Sequence, residues 1–532
     1  MAQMVLLGAE ALAQGALDAG LSGIYAYPGT PSTEITEYVQ RNRYARENGI
    51  HSAWSANEKT AVEAALGMSY AGKRAMACMK HVGLNVAADP FINSAITGAG
   101  GGLIIAVADD PSMHSSQNEQ DSRFYGQFAF LPIFEPSSQQ EAYDMAFTAF
   151  ELSEKYHLPV LMRITTRMAH SRAMVECRET RKQNSLRLPD DPRQFVLLPA
   201  IAKKRYRQLL NLQPLLEKEA EKSPFNCLLP GSDSSLGIIT CGIAHNYVLE
   251  NYPDGVPYPN LKIGQYPVPL DLISKLVSEV DQILVLEEGY PLLEQSLRGL
   301  LNNGAKPVKG RLDGTVPRDG ELTPDAVAVA MGLAAQTGPD APEFLASRPP
   351  SMCKGCGHID TYNALLEAIE GFGPGRTFSD IGCYTLGALP PFNAINSCVD
   401  MGASITMAKG AADAGLLPSV AVIGDSTFTH SGMTGLLDVV NENSPITIII
   451  SDNETTGMTG GQTSSATGRL ESICLGIGID PEHLKVIIPL KKNHEENVRI
   501  IRQELQHPAP SVIISRRECI QTATRKRKEQ KS

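Results

Sequence analysis

The sequence lacks a membrane-length apolar run and an excess of positive charge. No uninterrupted apolar stretch approaches the roughly 20 residues of a membrane-spanning helix, and residues 1–20 contain no Lys or Arg, unlike a secretory signal. The 58 Asp and Glu outnumber the 47 Lys and Arg and give a net charge of -11. Such a chain offers no overall positive field to nucleic acid or to an anionic membrane surface. We therefore expect a cytoplasmic protein that binds neither.

A disulfide framework and an internal repeat are missing as well. Ten cysteines spread over 532 residues are too sparse for a disulfide scaffold, so we expect thiols or metal ligands. No segment recurs at a fixed period. The content of 42% hydrophobic and 20% charged residues is typical of a folded globular protein. The length is sufficient for about three domains of roughly 150 residues each.

Short apolar runs alternate with helical patterns along the chain, which is typical of an α/β protein with parallel sheets. The runs at 75–79 and 103–108 predict buried strands near the N-terminus, and the runs at 236–240 and 282–286 predict further strands later in the chain. The sequence therefore predicts an α/β fold with more than one sheet.

Breakers and shifts in composition divide the chain into six parts. They are a first domain at 1–176, a connecting segment at 177–232, a second domain at 233–335, a linker rich in Pro, Gly and Ser at 336–350, a third domain at 351–520 and a basic tail at 521–532. Because the tail is short and strongly charged, we expect it to be a solvated, disordered end.

One strand, helix and strand pattern places polar residues at two strand ends. The segments 420–426 and 446–453 each begin with an apolar run, and Asp425 and Asn453 follow these runs. A right-handed crossover makes such strands parallel, so both residues emerge at the sheet edge where open α/β sheets bind ligands. A carboxylate, an amide oxygen and the Thr455 carbonyl suit Mg²⁺ that holds a diphosphate. Taken alone, a Gly-Asp at a strand end is more often only a turn.

Four cysteines form a second candidate constellation. Cys353 and Cys356 make a Cys-x-x-Cys pair, Cys383 follows about 27 residues later, and Cys519 lies at the end of the third domain. The spacing leaves open a zinc site, a redox dithiol, and thiolates that hold iron and sulfide.

Three motifs together resemble one family. The 420–453 segment resembles the thiamine diphosphate motif, Gly-Asp-Gly followed by a downstream Asn, with Ser426 in place of the second Gly. The strings YPGTPSTEI at 27–35 and MKHVGLN at 79–85 resemble the pyrimidine-binding domain of the 2-oxoacid:ferredoxin oxidoreductase family, in particular its indolepyruvate-type alpha subunits. The resemblance runs over nearly the whole chain.

The resemblance implies a thiamine diphosphate-binding fold. Two doubly wound parallel-sheet domains, for pyrimidine and diphosphate, would flank an α/β domain similar to the C-terminal domain of transketolase. The cofactor would lie in the cleft between the first and third domains. Gly424, Asp425, Ser426 and Asn453 would bind its diphosphate, and Asp425, Asn453 and Thr455 would bind Mg²⁺.

In the first domain the resemblance assigns Glu58 to the N1′ atom of the aminopyrimidine. A carboxylic acid there favours the tautomer that removes the C2 proton of the cofactor. Without the motif, Glu58 would only complement a helix dipole. His81 and Asn85, together with His430 of the third domain, are expected to line the cofactor pocket, although a single histidine is more often a structural group.

Two residues are expected to bind the substrate. The polar loop at 109–123 resembles the substrate loop of the family, and the planar fork of Arg123 suits a 2-oxo carboxylate. Thr30 is available for the keto or carboxylate oxygens. Gly29 and Met458 favour a bulky aromatic 2-oxoacid over pyruvate.

The resemblance also settles the expectation for the cysteines. Cys353, Cys356, Cys383 and Cys519 match those that bind the one 4Fe-4S cluster nearest thiamine diphosphate. The implied reaction is oxidative decarboxylation of an aryl 2-oxoacid, such as indolepyruvate, to acyl-CoA and CO2, with electrons leaving through the cluster. Relatives usually continue into a ferredoxin-like domain, whereas thirteen residues follow Cys519 here. We therefore expect a smaller beta subunit and an electron acceptor, which would be a ferredoxin, another iron–sulfur protein or a flavoprotein.

Two other functions remain open at this stage. A non-oxidative thiamine decarboxylase or carboligase needs Glu58, Asp425 and Asn453 but no clustered cysteines. A catalytically silent scaffold subunit would keep the fold for assembly alone.

Overall fold

Fully buried aliphatic runs form the central strands of the protein, as at 103–109, where all seven residues are buried. The computed structural model describes residues 2–189, 194–301, 306–335, 345 and 351–529. The chain divides into two compact units, Met1–Pro339 and Asp340–Ser532. None of the helices in the described ranges is long and apolar enough to cross a membrane.

The first unit contains fourteen strands among its described residues. They are β1 Ala2–Leu7, β2 Gly23–Ala26, β3 His51–Trp54, β4 Ala75–Lys80, β5 Leu103–Asp109, β6 Ile133–Phe134, β7 Val160–Thr165, β8 Arg172–Cys177, β9 Cys227–Leu229, β10 Gly237–Cys241, β11 Asn260–Ile263, β12 Gln265–Tyr266, β13 Ile283–Leu286 and β14 Val308–Lys309.

Helices separate most of these strands. They are α1 Gly8–Asp18, α2 Thr33–Arg41, α3 Arg43–Glu47, α4 Glu58–Tyr70, α5 His81–Val86, α6 Ala88–Thr97, α7 Arg123–Phe128, α8 Gln139–Tyr156, α9 Thr166–His170, α10 Pro199–Glu221, α11 Ala244–Asn251, α12 Leu270–Glu279, α13 Leu292–Leu301 and α14 Pro324–Ala330.

Two larger sheets organise the first unit. Seven strands pair in the order β12-β6-β7-β5-β4-β2-β3 and five in the order β14-β13-β10-β11-β9. Pairing is parallel in both sheets except at β12 and β9, each antiparallel to its neighbour. Strands β1 and β8 form a separate antiparallel pair. The predicted boundaries at 176, 232 and 335 stay a prediction, and two pairings cross them: β12 joins β6, and β9 joins β11.

The second unit has one parallel six-stranded sheet, with strand order β16-β15-β17-β18-β22-β21, and a small hairpin of β19 and β20. Its strands are β15 Thr377–Ser379, β16 Ser397–Cys398, β17 Ser419–Gly424, β18 Ile446–Asp452, β19 Thr455–Thr456, β20 Gln462–Thr463, β21 Leu484–Ile487 and β22 Ser511–Arg516. Its helices are α15 Gly357–Ile369, α16 Ala403–Asp413, α17 Asp425–Thr427, α18 Met433–Asn441, α19 Leu470–Ile477, α20 His494–Leu505 and α21 Ile520–Glu529.

The predicted α/β fold with parallel sheets is confirmed. The 336–350 linker lies outside the described residues apart from Leu345. The expectation of a disordered tail is wrong for residues 521–529, which belong to helix α21. Hydrogen bonds hold the first turns of this helix: Gln521 Nε2 donates to Cys353 Sγ at 3.4 Å, and Arg525 Nη1 donates to the Gly460 carbonyl at 3.0 Å.

Candidate functional site

Two adjacent strand ends bring the predicted metal ligands of the second unit to one sheet edge. Strands β17 and β18 pair in parallel, with Gly424 opposite Ser451. Asp425 therefore begins α17 beside the end of β18, which Asn453 directly follows. The Ser426 and Thr456 hydroxyls lie 3.0 Å apart and join the two chain segments. The crossover predicted from the sequence is thus formed.

The Asp425 carboxylate has an oxygen that no protein group satisfies. The side chain is 2% exposed, and its Oδ2 is buried without a hydrogen-bond partner. Burial, together with the charge of Asp452, raises the pKa of Asp425 to about 7. The hydrogen bonds from the Ser426 amide and from Ser464 lower this pKa, but their effect is smaller. A buried, unpartnered carboxylate oxygen is costly unless a cation binds it. This residue fits a metal ligand.

The segment after β18 supplies further oxygens near Asp425. The Asn453 Oδ1 accepts a hydrogen bond from the Thr455 amide at 3.1 Å. The Thr455 hydroxyl donates to the Gln462 carbonyl at 2.9 Å, which closes the small hairpin. Carboxylate, amide and carbonyl oxygens are the donor types that Mg²⁺ prefers, so the residues present fit that ion.

Two other predicted residues lie close to this edge. A Cβ on Gly424 would come within 2.6 Å of the Tyr384 ring, so the position requires glycine. His430 is buried in a π-helical turn, 428–432, between α17 and α18, and its Nδ1 is 2.6 Å from the Ser431 hydroxyl. Such turns are frequent at functional sites.

The four predicted cysteines line one cavity of the second unit. Cys353, Cys356, Cys383 and Cys519 surround a volume of about 110 Å³, which Asn453 also lines. Burial and the neighbouring thiolates raise the pKa of the Cys383 thiol to about 11. Thiols grouped in this way are held protonated by mutual repulsion, and a metal centre would remove that penalty.

The four cysteines supply a donor set that fits a thiolate-bound metal centre. A single zinc draws all its thiolates to about 2.3 Å, whereas a 4Fe-4S cluster takes each thiolate on a different iron. In the described ranges no three His, Cys, Asp or Glu side chains form a group that could hold a metal ion.

In the first unit Glu58 is buried at the start of α4. Its side chain is 5% exposed, and Asn57 caps the helix by accepting from the Thr60 amide at 2.9 Å. A Cβ on Gly83 would lie 2.5 Å from Glu58 Oε1. The glycine of the 79–85 motif thus makes room for the Glu58 carboxylate, a contact that the sequence alone did not reveal.

The neighbouring predicted residues differ in their surroundings. His81 is buried, with Nε2 3.1 Å from the Asn118 carbonyl and Nδ1 without a hydrogen-bond partner. Asn85 is exposed and accepts from the Tyr125 hydroxyl at 2.7 Å. Thr30 is half-buried, and its carbonyl accepts from the Ser115 hydroxyl at 3.2 Å. His81 therefore has a ring nitrogen without a protein partner.

Residues 29 and 458 gave the expectation of a bulky substrate. A Cβ on Gly29 would lie 3.1 Å from the Lys80 side chain, so the Lys80 stem already covers this glycine. Met458 is 60% exposed. The substrate preference stays a prediction.

Arg123 is occupied by protein groups. Its fully buried guanidinium donates to Asp121 and Tyr290 at 3.0 Å and to the Tyr266 hydroxyl at 3.3 Å, and it pairs with Glu287 at 3.0 Å. Although burial disfavours the charge, these acidic neighbours raise the pKa of Arg123 above its ordinary value. Its predicted contact with a substrate stays a prediction that these contacts do not support.

Sequence reasoning missed several residues that shape these sites. Ser464 bonds the Asp425 carboxylate, and Arg516 pairs with Asp452 at 2.6 Å. Both lie far along the chain from the motif they support. The sequence signal that could have found Arg516 is a polar residue at the end of a strand, because ligands bind at that edge of an open α/β sheet and Arg516 ends β22.

Two family models match separate parts of the chain. A family model described as "Pyruvate flavodoxin/ferredoxin oxidoreductase, thiamine diP-bdg" matches residues 14–205, and one described as "Thiamine pyrophosphate enzyme, C-terminal TPP binding domain" matches residues 380–514. The first range contains Glu58, and the second contains Asp425 and Asn453.

Similar proteins span almost the whole chain. Indolepyruvate oxidoreductase subunit IorA of Archaeoglobus fulgidus is 38% identical over 97% of this chain and 86% of its own length. The proteins of that name from Methanothermobacter marburgensis and Pyrococcus horikoshii are 38% and 37% identical over 97% of this chain, and over 87% and 86% of their own lengths. A solved 2-oxoglutarate:ferredoxin oxidoreductase from Magnetococcus marinus matches with a TM-score of 0.49 and 15% identity over 62% of this chain and 65% of that chain.

Proposed function

The chain belongs to the family of indolepyruvate oxidoreductase subunit IorA, and on that premise we propose that it is the catalytic subunit of an arylpyruvate oxidoreductase. It oxidatively decarboxylates an aryl 2-oxoacid such as indolepyruvate, to acyl-CoA and CO2. Thiamine diphosphate supplies the carbanion chemistry, and an iron–sulfur cluster accepts the electrons.

One observation carries the oxidative part of this proposal. The four-cysteine cavity and the Asp425 edge share Asn453, which follows the strand beside Asp425 and also lines the cavity. An electron acceptor in that cavity would adjoin the end of the cofactor that Asp425 and Asn453 hold. A non-oxidative decarboxylase has no use for such a cavity.

At the diphosphate end, the proposed roles follow from the contacts. Asp425, Asn453 and the Thr455 carbonyl would hold Mg²⁺. Gly424 gives the chain room to turn into α17, and Ser426 fixes the two segments to each other. Oxygen ligands of this kind leave coordination positions for phosphate oxygens.

At the pyrimidine end, Glu58 would hold a proton at N1′ of the aminopyrimidine. The Glu58 side chain is buried, and the missing side chain of Gly83 leaves room for its carboxylate. His81 and Asn85 of the first unit, and separately His430 of the second, are proposed as cofactor-binding residues. Thr30 would contact the substrate oxygens.

The partners belong to the same proposal. The relatives are named as subunits, which supports assembly with a second, smaller beta subunit. An electron acceptor, either a ferredoxin or another iron–sulfur or flavin protein, would take the electrons onward, and coenzyme A would take the acyl group.

A direct test is the analysis of anaerobically purified chain. We expect a broad brown absorbance, four iron and four sulfide per chain, and saturable binding of thiamine diphosphate that requires Mg²⁺. One zinc per chain without labile sulfide would contradict the oxidative mechanism. Absence of cofactor binding would instead favour the silent scaffold subunit.

A further inference from the structure

A single segment of the second unit connects the two proposed cofactor sites. Residues 453–470 begin directly after Asp452, at the end of β18, and end directly before Glu471, in the first turn of α19. The segment carries Asn453 and Thr455. Any group that holds Asp452 and Glu471 therefore fixes both ends of this segment.

Arg516 is that group. Its Nε pairs with Asp452 Oδ2 at 2.6 Å, while Nη1 and Nη2 pair with the two oxygens of Glu471 at 2.7 and 2.9 Å. The two-point contact with Glu471 matches the planar fork of a guanidinium, which lysine cannot reproduce. The Asp452 side chain is only 2% exposed, so Arg516 also neutralises a buried carboxylate.

The 453–470 segment touches the proposed metal site at several points. Asn453 is itself a proposed ligand, the Thr456 hydroxyl lies 3.0 Å from that of Ser426, and Ser464 bonds the Asp425 carboxylate. A shift of the segment would therefore move oxygen donors away from Asp425.

The same segment touches the cysteine cavity. The Cys519 amide donates to the Asn453 carbonyl at 3.1 Å, and the Arg517 amide donates to the Asp452 carbonyl at 2.9 Å. A Cβ on Gly457 would lie 3.2 Å from Cys383 Sγ. Arg516 itself ends β22, three residues before Cys519. The cavity and the metal edge thus share one backbone connection.

We propose that Arg516 is a positioning residue that couples the two sites, so that filling the cysteine cavity with a cluster strengthens binding of Mg²⁺ and thiamine diphosphate. This inference rests on the proposed function. Coupling between two ligands is reciprocal, so each ligand stabilises the arrangement that the other needs. Without the Arg516 side chain the two ends of the 453–470 segment are no longer linked to each other, although the backbone bonds of Arg517 and Cys519 remain, and the two sites bind independently.

The test compares full chains in two states. Thiamine diphosphate with MgCl2 is titrated anaerobically, by calorimetry, into cluster-loaded chain and into chain stripped of iron by a chelator. For the natural sequence we expect roughly tenfold tighter binding to the loaded form, within the usual range of coupling. For Arg516→Gln the two forms should bind with affinities that differ less than about twofold, and Arg516→Lys should lie between.

Arg502→Gln is the matched control. Arg502 is an exposed arginine of the same unit, where it contacts the Glu367 carbonyl at 3.0 Å. This variant should keep the tenfold ratio of the natural sequence.

Hydrogen exchange gives a second readout that general destabilisation would not reproduce. Adding thiamine diphosphate and MgCl2 to iron-free chain should slow exchange at both 453–463 and 511–519, and Arg516→Gln should lose the effect only at 511–519. The proposal would be overturned if Arg516→Gln kept the same ratio of affinities between loaded and iron-free chain as the natural sequence, as it would if both states lost affinity equally. It would also be overturned if the natural sequence bound the cofactor equally well in both states. If no form binds the cofactor, the proposed function fails first.

Discussion

At the scale of single residues, the proposed role of Glu58 is the proton chemistry and not the anchoring of the cofactor. Replacing it with Gln keeps the side-chain size at a buried position that tolerates little change, because Gly83 lies against it. We expect Glu58→Gln to bind thiamine diphosphate within about threefold of the natural affinity while hydrogen exchange at C2 of the cofactor falls by about 100-fold or more. Nuclear magnetic resonance of the bound cofactor measures the exchange, and an undiminished rate would remove Glu58 from the mechanism.

Asp425 has the opposite role. Asp425→Ala deletes the only carboxylate among the proposed Mg²⁺ ligands, so the affinity for Mg²⁺ and thiamine diphosphate should fall by about 100-fold or more. Asp438→Ala, which removes an exposed carboxylate from α18 of the same unit, is the control. Calorimetric titration with thiamine diphosphate and MgCl2 measures the affinity of each variant, and equal affinities in the two variants would exclude Asp425 as a ligand.

Glu288 of the first unit should make stability depend on pH. It is 1% exposed and its Oε2 has no hydrogen-bond partner, and burial raises its pKa to about 7 from an ordinary value of 4.5. Between these values the folded chain binds a proton that the unfolded chain releases, so stability falls as pH rises through this window.

Glu288→Gln removes that dependence. Relative to the natural sequence, the variant should gain on the order of 1–3 kcal/mol between pH 5 and pH 8, measured by denaturant unfolding. Glu250→Gln, at an exposed position of α11, should show no such gain. If the free energy of unfolding of Glu288→Gln differed from that of the natural sequence by the same amount at both pH values, Glu288 would be ionised in the folded protein at both.

At the scale of elements, the four cysteines of the cavity come from three separate pieces of chain. Cys353 and Cys356 precede α15, Cys383 follows β15, and Cys519 lies between β22 and α21. Serine at any of these positions should lower iron to less than about half of the natural content, because each thiolate is one of four ligands. Cys474→Ser, at a cysteine buried in α19, should keep the full iron content if the chain folds. Full iron in a variant of one of the four cysteines would remove it from the ligand set.

The sequence predicted elements better than it predicted contacts. The strands that hold Asp425 and Asn453 were predicted because apolar runs and their polar ends are local signals. Helix α10 was missed, since its face is mostly polar and only Leu209, Leu216 and Ala220 are buried. Asp121 lies only two residues from Arg123, but the partners Glu287 and Tyr290 are more than 160 residues away, and no local pattern shows which carboxylates a fold brings to a guanidinium.

At the scale of the whole molecule, the residues proposed to bind the cofactor are divided between the two units. Glu58, Thr30, His81 and Asn85 belong to the first, whereas Asp425, Asn453 and the four cysteines belong to the second. A resemblance over nearly the full length was therefore needed to relate them, since neither unit alone contains a complete set of catalytic groups.

The central claim is that this chain couples decarboxylation to reduction of its own cluster. The most direct measurement mixes indolepyruvate with chain loaded with cluster, Mg²⁺ and thiamine diphosphate, without oxygen, and follows CO2 and the electron paramagnetic resonance of the cluster in one turnover. We predict that CO2 release and one-electron reduction of the cluster rise together. Release of CO2 and an aldehyde while the cluster stays oxidised would contradict the account and identify a non-oxidative decarboxylase.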